Sequence, residues 1–231
     1  MWKVILIFIF SFTLSLGSYR DNWNGILKDY SREGSRDGIE AVLVDYSGIQ
    51  NDKRWTALLD ELKTINHTSL SPDESKSFWI NVYNIAAVKM VLDNHPLKSI
   101  KDAGSFFKPV WDREVITIDN KSYSLGYIEH KILRKTGDSL IHYAIVCASM
   151  SCPDLKREAY TPDRVQEQME EQKRRFLASE SKGIRLEEDT YYISKLYKWY
   201  KDDFGDPYIY LDIPRDKKIK FMGYNWSLNT K

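Results

Sequence analysis

The apolar and polar positions fall into blocks of distinct period. From Trp55 to Ile65 (WTALLDELKTI) apolar residues recur at helical spacing. Ser71-Pro72-Asp73-Glu74 then reads as a capping box with proline at the first helical position, opening an apolar-rich helix that runs to Asn94. His95-Pro96 ends it, because proline disfavours a helical residue before it. Arg113–Ser124 alternates about Asp119-Asn120, the pattern of a β-hairpin, and Leu125–Lys135 predicts a short helix stopped by Gly137. Ser139–Cys147 (SLIHYAIVC) is apolar on both alternating faces and predicts a central strand buried from both sides. Thr161-Pro162-Asp163 opens an amphipathic helix to about Leu177, Ile184–Ser194 predicts a second hairpin turning near Glu188-Asp189, and Leu196–Phe204 predicts a short aromatic helix. The expected fold class is α+β: a single domain with a small β-sheet whose buried central strand packs against several helices.

The N-terminus follows another logic. Lys3 precedes an apolar run from Val4 to Leu16, and Ser15 and Gly17 supply small residues ahead of a cleavage point, so residues 1–17 read as a secretory signal peptide. The run is short for a bilayer span, which needs about 20 residues, and no stable membrane insertion is expected after cleavage. The chain is therefore expected to be exported, to a periplasm or the outside medium. Residues 18–37 are polar and read as a loose lead-in, leaving 38–231 as the globular domain. Composition adds exclusions. With 42% hydrophobic residues in 231, disorder and low complexity are excluded. The 34 basic and 33 acidic residues nearly cancel, so no basic field marks a nucleic-acid partner. No Walker loop, dinucleotide-type glycine fingerprint or paired-histidine zinc spacing occurs, so neither cofactor nor metal is expected, and the expected partner is a small-molecule or peptide ligand.

Chemistry concentrates in a few residues. Glu129 lies on the apolar stripe of Leu125, Ile128 and Ile132 and must find a partner or a proton. His142 interrupts the apolar run 139–147, and the two cysteines of the chain, Cys147 and Cys152, follow it. Pro153 suggests that Cys152 caps a short helix reaching Tyr160, where backbone N–H groups and the helix dipole favour a thiolate. One reading makes Cys152 a nucleophile, His142 its base and Glu129 the group that orients the imidazole. The other is a binding or structural domain in which Cys147 and Cys152 form a disulfide, suited to an oxidising compartment, and Glu129, His142 and Asn81 form a buried polar network. A dithiol switch is a third reading, without the Cys-x-x-Cys spacing of thioredoxin-like enzymes. Asn81 and Asn84 share one helix side, where amides either satisfy neighbouring backbone or hold a carbonyl oxygen at a site. Trp79, His130 and Arg134 complete the candidate binding residues.

Five blocks carry a family resemblance: Phe78–Asn84 (FWINVYN), Ile128–Arg134 (IEHKILR), Ile141–Pro153 (IHYAIVCASMSCP), Trp199-Tyr200 with Asp203-Phe204, and Tyr224–Asn229 (YNWSLN). In this order, from about Gly38 to Asn229, the chain resembles domain-of-unknown-function family 547, with Asn225 where an aspartate is expected. The resemblance implies one domain, often exported in bacteria, and a fold akin to papain- or transglutaminase-like thiol hydrolases. A fold likeness of that kind carries no function by itself.

Overall fold

In the computed structural model, which describes residues 11–231 with side chains from residue 19 onward, everything is arranged around one buried helix. Helices α1 (Ser11–Tyr30), α2 (Tyr46–Gln50), α3 (Lys53–Thr64) and α4 (Pro72–Asp93) come first, with strands β1 (Ser31–Arg36) and β2 (Ile39–Val44) between α1 and α2. Helix α4 begins as its sequence requires, with Pro72 in the first turn and the Glu74 carboxylate accepting from the Ser71 N–H at 2.9 Å. It is apolar on every side, so it has no solvent face, and it is buried almost continuously from Ser77 to Leu92. No helix among the described residues is long and apolar enough to cross a membrane.

The remaining elements wrap this helix. Strands β3 (Glu114–Ile118) and β4 (Lys121–Ser124) form the expected hairpin. Asp119 and Asn120 both take positive φ, as a tight two-residue turn demands. Next come the short α5 (Leu125–Tyr127), α6 (Ile141–Ala144) and α7 (Val165–Leu177). The second hairpin, β5 (Ile184–Glu187) and β6 (Thr190–Ile193), gains a parallel third strand, β7 (Lys218–Phe221). Between β6 and β7 lie α8 (Leu196–Trp199), α9 (Lys201–Phe204) and α10 (Pro207–Tyr210). The fold is α+β, its strands divided among three small sheets ordered β1-β2, β3-β4 and β5-β6-β7.

Three expectations need correction. The central strand over 139–147 is absent; its first half is the one-turn helix α6 and the rest is irregular chain leading to Cys147. An apolar run of that length fits a buried helical segment as well as a strand, and here α4 takes the central place. Residues 18–37 are no loose lead-in: they form α1 and β1, with Tyr19, Trp23, Ile26 and Leu27 buried in the core. Leu196–Phe204 is two single-turn helices parted at Tyr200. The leader reading of 1–17 falls largely on residues 1–10, which lie outside the described residues.

With no strand at 139–147, the buried backbone there needs other partners. Helix α4 supplies them. Asn84 Nδ2 donates to Ala144 O and Asn84 Oδ1 accepts from Val146 N, both at 3.0 Å. One turn earlier Asn81 grips Tyr160 in the same way, donating to its carbonyl at 2.8 Å and accepting from its N–H at 2.9 Å. Each amide thus pairs with backbone as a neighbouring strand would. The loop after Cys152 is fastened a second time through Asp154. Its carboxylate accepts from Val42 N (2.9 Å), the buried Lys182 ammonium (2.7 Å) and Arg175 Nε (2.9 Å). Burial opposes the Asp154 charge, but these donors outweigh it and hold the carboxyl below its ordinary range.

Loss of the Asn84 clamp leaves a buried N–H and a buried C=O unpaired, each worth about 1–3 kcal/mol. Asn84→Ala is expected to lower the unfolding free energy by about 2–4 kcal/mol. Asn84→Asp, which can accept from Val146 but cannot donate to Ala144, should fail to restore it. Denaturant midpoints of the three proteins check this; a loss of under about 0.5 kcal/mol in both variants contradicts the clamp.

Candidate functional site

The chain released from the Asn84 clamp runs straight into Cys147. Ala148 follows with φ of 56°, a left-handed conformation uncommon for a residue with a Cβ and found where the surroundings enforce it. The enforcement comes from the C-terminal segment 224–229. Asn229 N donates to Ala148 O at 3.0 Å, Met150 N to Ser227 O at 2.9 Å and Ser151 N to Asn225 O at 3.2 Å. The sharp turn folds Cys152 back, so the two sulfurs lie 3.0 Å apart as thiols, and Cys147 N donates to the Cys152 sulfur at 3.0 Å. The same segment brings Tyr224, whose hydroxyl is 3.3 Å from Cys147 Sγ and 3.2 Å from Ser149 Oγ; that serine oxygen is itself 3.1 Å from Cys147 Sγ. Asn225 Oδ1 accepts from Ser227 N at 2.8 Å, a contact that an aspartate would serve equally. The amide also donates to Asp37 at 3.3 Å, which an aspartate could not do.

These contacts separate the two thiols. The Cys152 contact, aided by the Ser149 and Tyr224 hydroxyls, outweighs burial and lowers Cys147 to about 7. Burial first, then the neighbouring Cys147, pushes Cys152 well above the ordinary thiol range. The expectation that Cys152 caps a helix fails: residues 153–160 are not helical, so no helix dipole reaches its sulfur. Proline is as much at home in extended chain as at a helix start, and here it begins the segment that Asp154 and Asn81 tie down.

Both cysteines line a cavity of about 290 Å³ walled mainly by aromatic rings, among them Tyr83, Trp111, Trp199, Tyr200 and Trp226. Glu129, His130 and His142 line it as well. Glu129 is buried, as its place on the stripe predicts. A π-helical turn over Ile128–Leu133 inserts extra backbone into that stripe, so Leu133 takes the buried place expected of Ile132. Glu129 Oε2 accepts from the Tyr83 hydroxyl at 3.0 Å, while Oε1 is buried without a hydrogen bond, 3.9 Å from His130 Nδ1. Burial and the Glu129 charge together push both Tyr83 and Tyr200 far above the ordinary phenol range, so both stay protonated.

The carboxylate that holds His142 is Asp203, not Glu129. Asp203 Oδ2 lies 2.6 Å from His142 Nε2, and Arg134 grips the same carboxylate with two bonds of 2.6 and 2.8 Å. Arg134 keeps Asp203 below the usual carboxylate range, so the ionised group accepts, Nε2 carries the proton and Nδ1 is left as the basic nitrogen. Burial lowers the proton affinity of His142 despite Asp203, leaving the ring neutral near pH 7. Its face stacks on Tyr200 at 3.9 Å. Among the described residues no hydrogen bond joins His142 to either sulfur, although all three line the cavity.

Of the other expected binding residues, His130 lines the cavity and Arg134 serves Asp203. Asn81 and Asn84 commit both ends of their amides to backbone, as structural clamps. Trp79 is buried among His67, Phe78 and Tyr123, away from the cavity. Asp203 and Tyr224 carry no chemical signal of their own in the sequence; each stands only inside a family block, 61 and 77 residues along the chain from the groups they serve.

No curated protein and no solved structure matches the chain significantly. A family model does: residues 67–177, just under half of the chain, match the family described as "Protein of unknown function, DUF547", and this stretch contains both clamping asparagines, Glu129, His142 and the two cysteines.

Proposed function

We propose that the cavity performs thiol-dependent acyl transfer or hydrolysis, with Cys147 rather than Cys152 as the nucleophile. The observation that carries this reading is the contrast between the two thiols. Both line the cavity, but Cys147 is only partly buried and is lowered to about 7 by donors on its sulfur, whereas Cys152 is buried and pushed up. A thiolate available at neutral pH is the form that attacks a carbonyl. His142 supports the reading as the neutral base of the cavity, its ring fixed through Nε2 by Asp203 and by stacking on Tyr200.

In this scheme the Cys147 thiolate adds to the carbonyl carbon of an amide, ester or thioester. The proton lost by the Cys147 thiol passes to Nδ1 of His142 and from there to the leaving group; the neutral imidazole then takes a proton from water, which attacks the acyl-sulfur bond and releases the acid, and returns that proton to the sulfur. The aromatic lining favours an acyl group with apolar or planar character. Export is part of the proposal, supported by the apolar run Val4–Leu16 with the small residues Ser15 and Gly17 at its end.

An activated ester such as p-nitrophenyl acetate tests the reading without knowledge of the natural substrate. The reduced protein is expected to release a burst of nitrophenolate equal to one per chain and to carry the acetyl group on Cys147, with the burst rate rising through pH 7 as the thiolate forms. Cys147→Ser should abolish the burst and Cys152→Ser should keep it; an adduct on Cys152, or none, overturns the assignment. Asp203→Asn, which frees the imidazole to take the other tautomer, is expected to slow acylation or deacylation by about 10²-fold or more. The pH at which the Cys147 burst is half-maximal should meanwhile stay near 7. An unchanged rate in Asp203→Asn removes His142 from the mechanism.

A further inference from the structure

We propose that Cys147 and Cys152 are an attacking and a resolving thiol, and that the cavity carries out thiol–disulfide exchange with small disulfides. The inference rests on how the sulfurs are placed. A nucleophile that only forms acyl intermediates has no need of a second sulfur, yet Cys152 Sγ sits 3.0 Å from Cys147 Sγ. It is brought there by a turn with a left-handed alanine and three backbone bonds from the C-terminal segment. The Cys-x₄-Cys spacing differs from that of thioredoxin-like enzymes, but the turn at Ala148 supplies the juxtaposition that spacing usually provides. Closing the pair to a disulfide requires the sulfurs to approach by only about 1 Å.

Exposure divides the roles. Cys147 is the partly exposed thiol of lowered proton affinity, and Cys152, which also borders the cavity, is buried. The Cys147 thiolate attacks one sulfur of R–S–S–R′, forming a Cys147–S–S–R mixed disulfide and expelling R′S⁻. That bond removes the Cys147 charge, one of the causes that hold Cys152 protonated. Cys152 then gives up its proton and attacks Cys147 Sγ, breaking the Cys147–S–R bond and expelling RS⁻. Two electrons pass from the protein to the substrate, two protons leave with RSH and R′SH, and the protein keeps a Cys147–Cys152 disulfide. A dithiol reductant reverses the sequence by the same exchange. The cavity of about 290 Å³ limits the substrate to small organic disulfides, and its aromatic walls favour apolar substituents.

The activity shares Cys147 with acyl transfer but needs neither His142 nor a carbonyl substrate, so either reading can fail alone. The test uses reduced full-length protein and bis(2-hydroxyethyl) disulfide as the probe, followed by intact mass and released 2-mercaptoethanol. Wild type is expected to release two equivalents and to lose the mass of two hydrogens. Cys152→Ser should stop after one equivalent with the probe trapped on Cys147. Cys147→Ser should react at least about tenfold more slowly at pH 7, because its remaining thiol is almost wholly protonated. A wild-type protein that accumulates a lasting mixed disulfide overturns the proposal, as does probe found first on Cys152. If either variant fails to fold, the wild-type stoichiometry still separates completed exchange from a lasting mixed disulfide, and peptide mapping of wild type quenched with acid after a short reaction shows which cysteine carries the probe first.

Discussion

Two side-chain amides on a buried helix hold the site together. Asn81 and Asn84 each offer one donor and one acceptor to a stretch of backbone that has no strand beside it. In a sheet-rich fold a ladder would fix such chain; here three small sheets lie elsewhere and the centre is helical. The Asn84 clamp ends one residue before Cys147, so the rigidity of α4 is transmitted to the sulfur with little intervening freedom. Beyond it the C-terminal segment takes over, enforcing the left-handed Ala148 and the return of Cys152 from that anchored start.

Electrostatics divides the groups of the site. The two thiols are driven in opposite directions, Cys147 lowered and Cys152 raised, whereas Asp203 and His142 are both lowered, the one by Arg134 and the other by burial, so that an ionised carboxylate faces a neutral imidazole. Pairs pushed apart in this way can give and take protons near neutral pH, which like residues in like surroundings cannot. Glu129 belongs to a different set. Its charge helps to hold Tyr83 and Tyr200 in the protonated state, and Tyr200 in turn stacks on His142. Glu129 therefore acts on the imidazole through its charge and through the Tyr200 ring, while Asp203 holds it by a hydrogen bond.

What is legible in the sequence is what short range determines. The capping box at Ser71, both hairpins with their positive-φ turn residues, and the stop at Gly137 are settled within a few residues of chain, and each can be read directly. Glu129 can be placed inward from its stripe, although the π turn that shifts Ile132 outward leaves no mark in the pattern. The run 139–147 misleads because uniform apolarity has no period to tell strand from helix. Tyr19, Trp23, Ile26 and Leu27 do keep helical spacing, but the polar residues between them disguise a core helix as a lead-in. Pro153 misdirects the choice between the cysteines, since proline fits a helix start and an extended segment alike. The partners that fix the chemistry, Asp203 for His142 and Tyr224 for Cys147, come from distant segments, and no local rule connects them.

The central claim is that Cys147, not Cys152, is the reactive thiol of the cavity. It is tested most directly by alkylating the reduced native protein with iodoacetamide across pH 5–10 and quantifying each cysteine by peptide mass spectrometry. The account predicts a Cys147 rate that rises to half its plateau near pH 7, with Cys152 unlabelled until the protein is denatured. Faster labelling of Cys152, or a Cys147 midpoint at the ordinary thiol value of about 8.5, would contradict it.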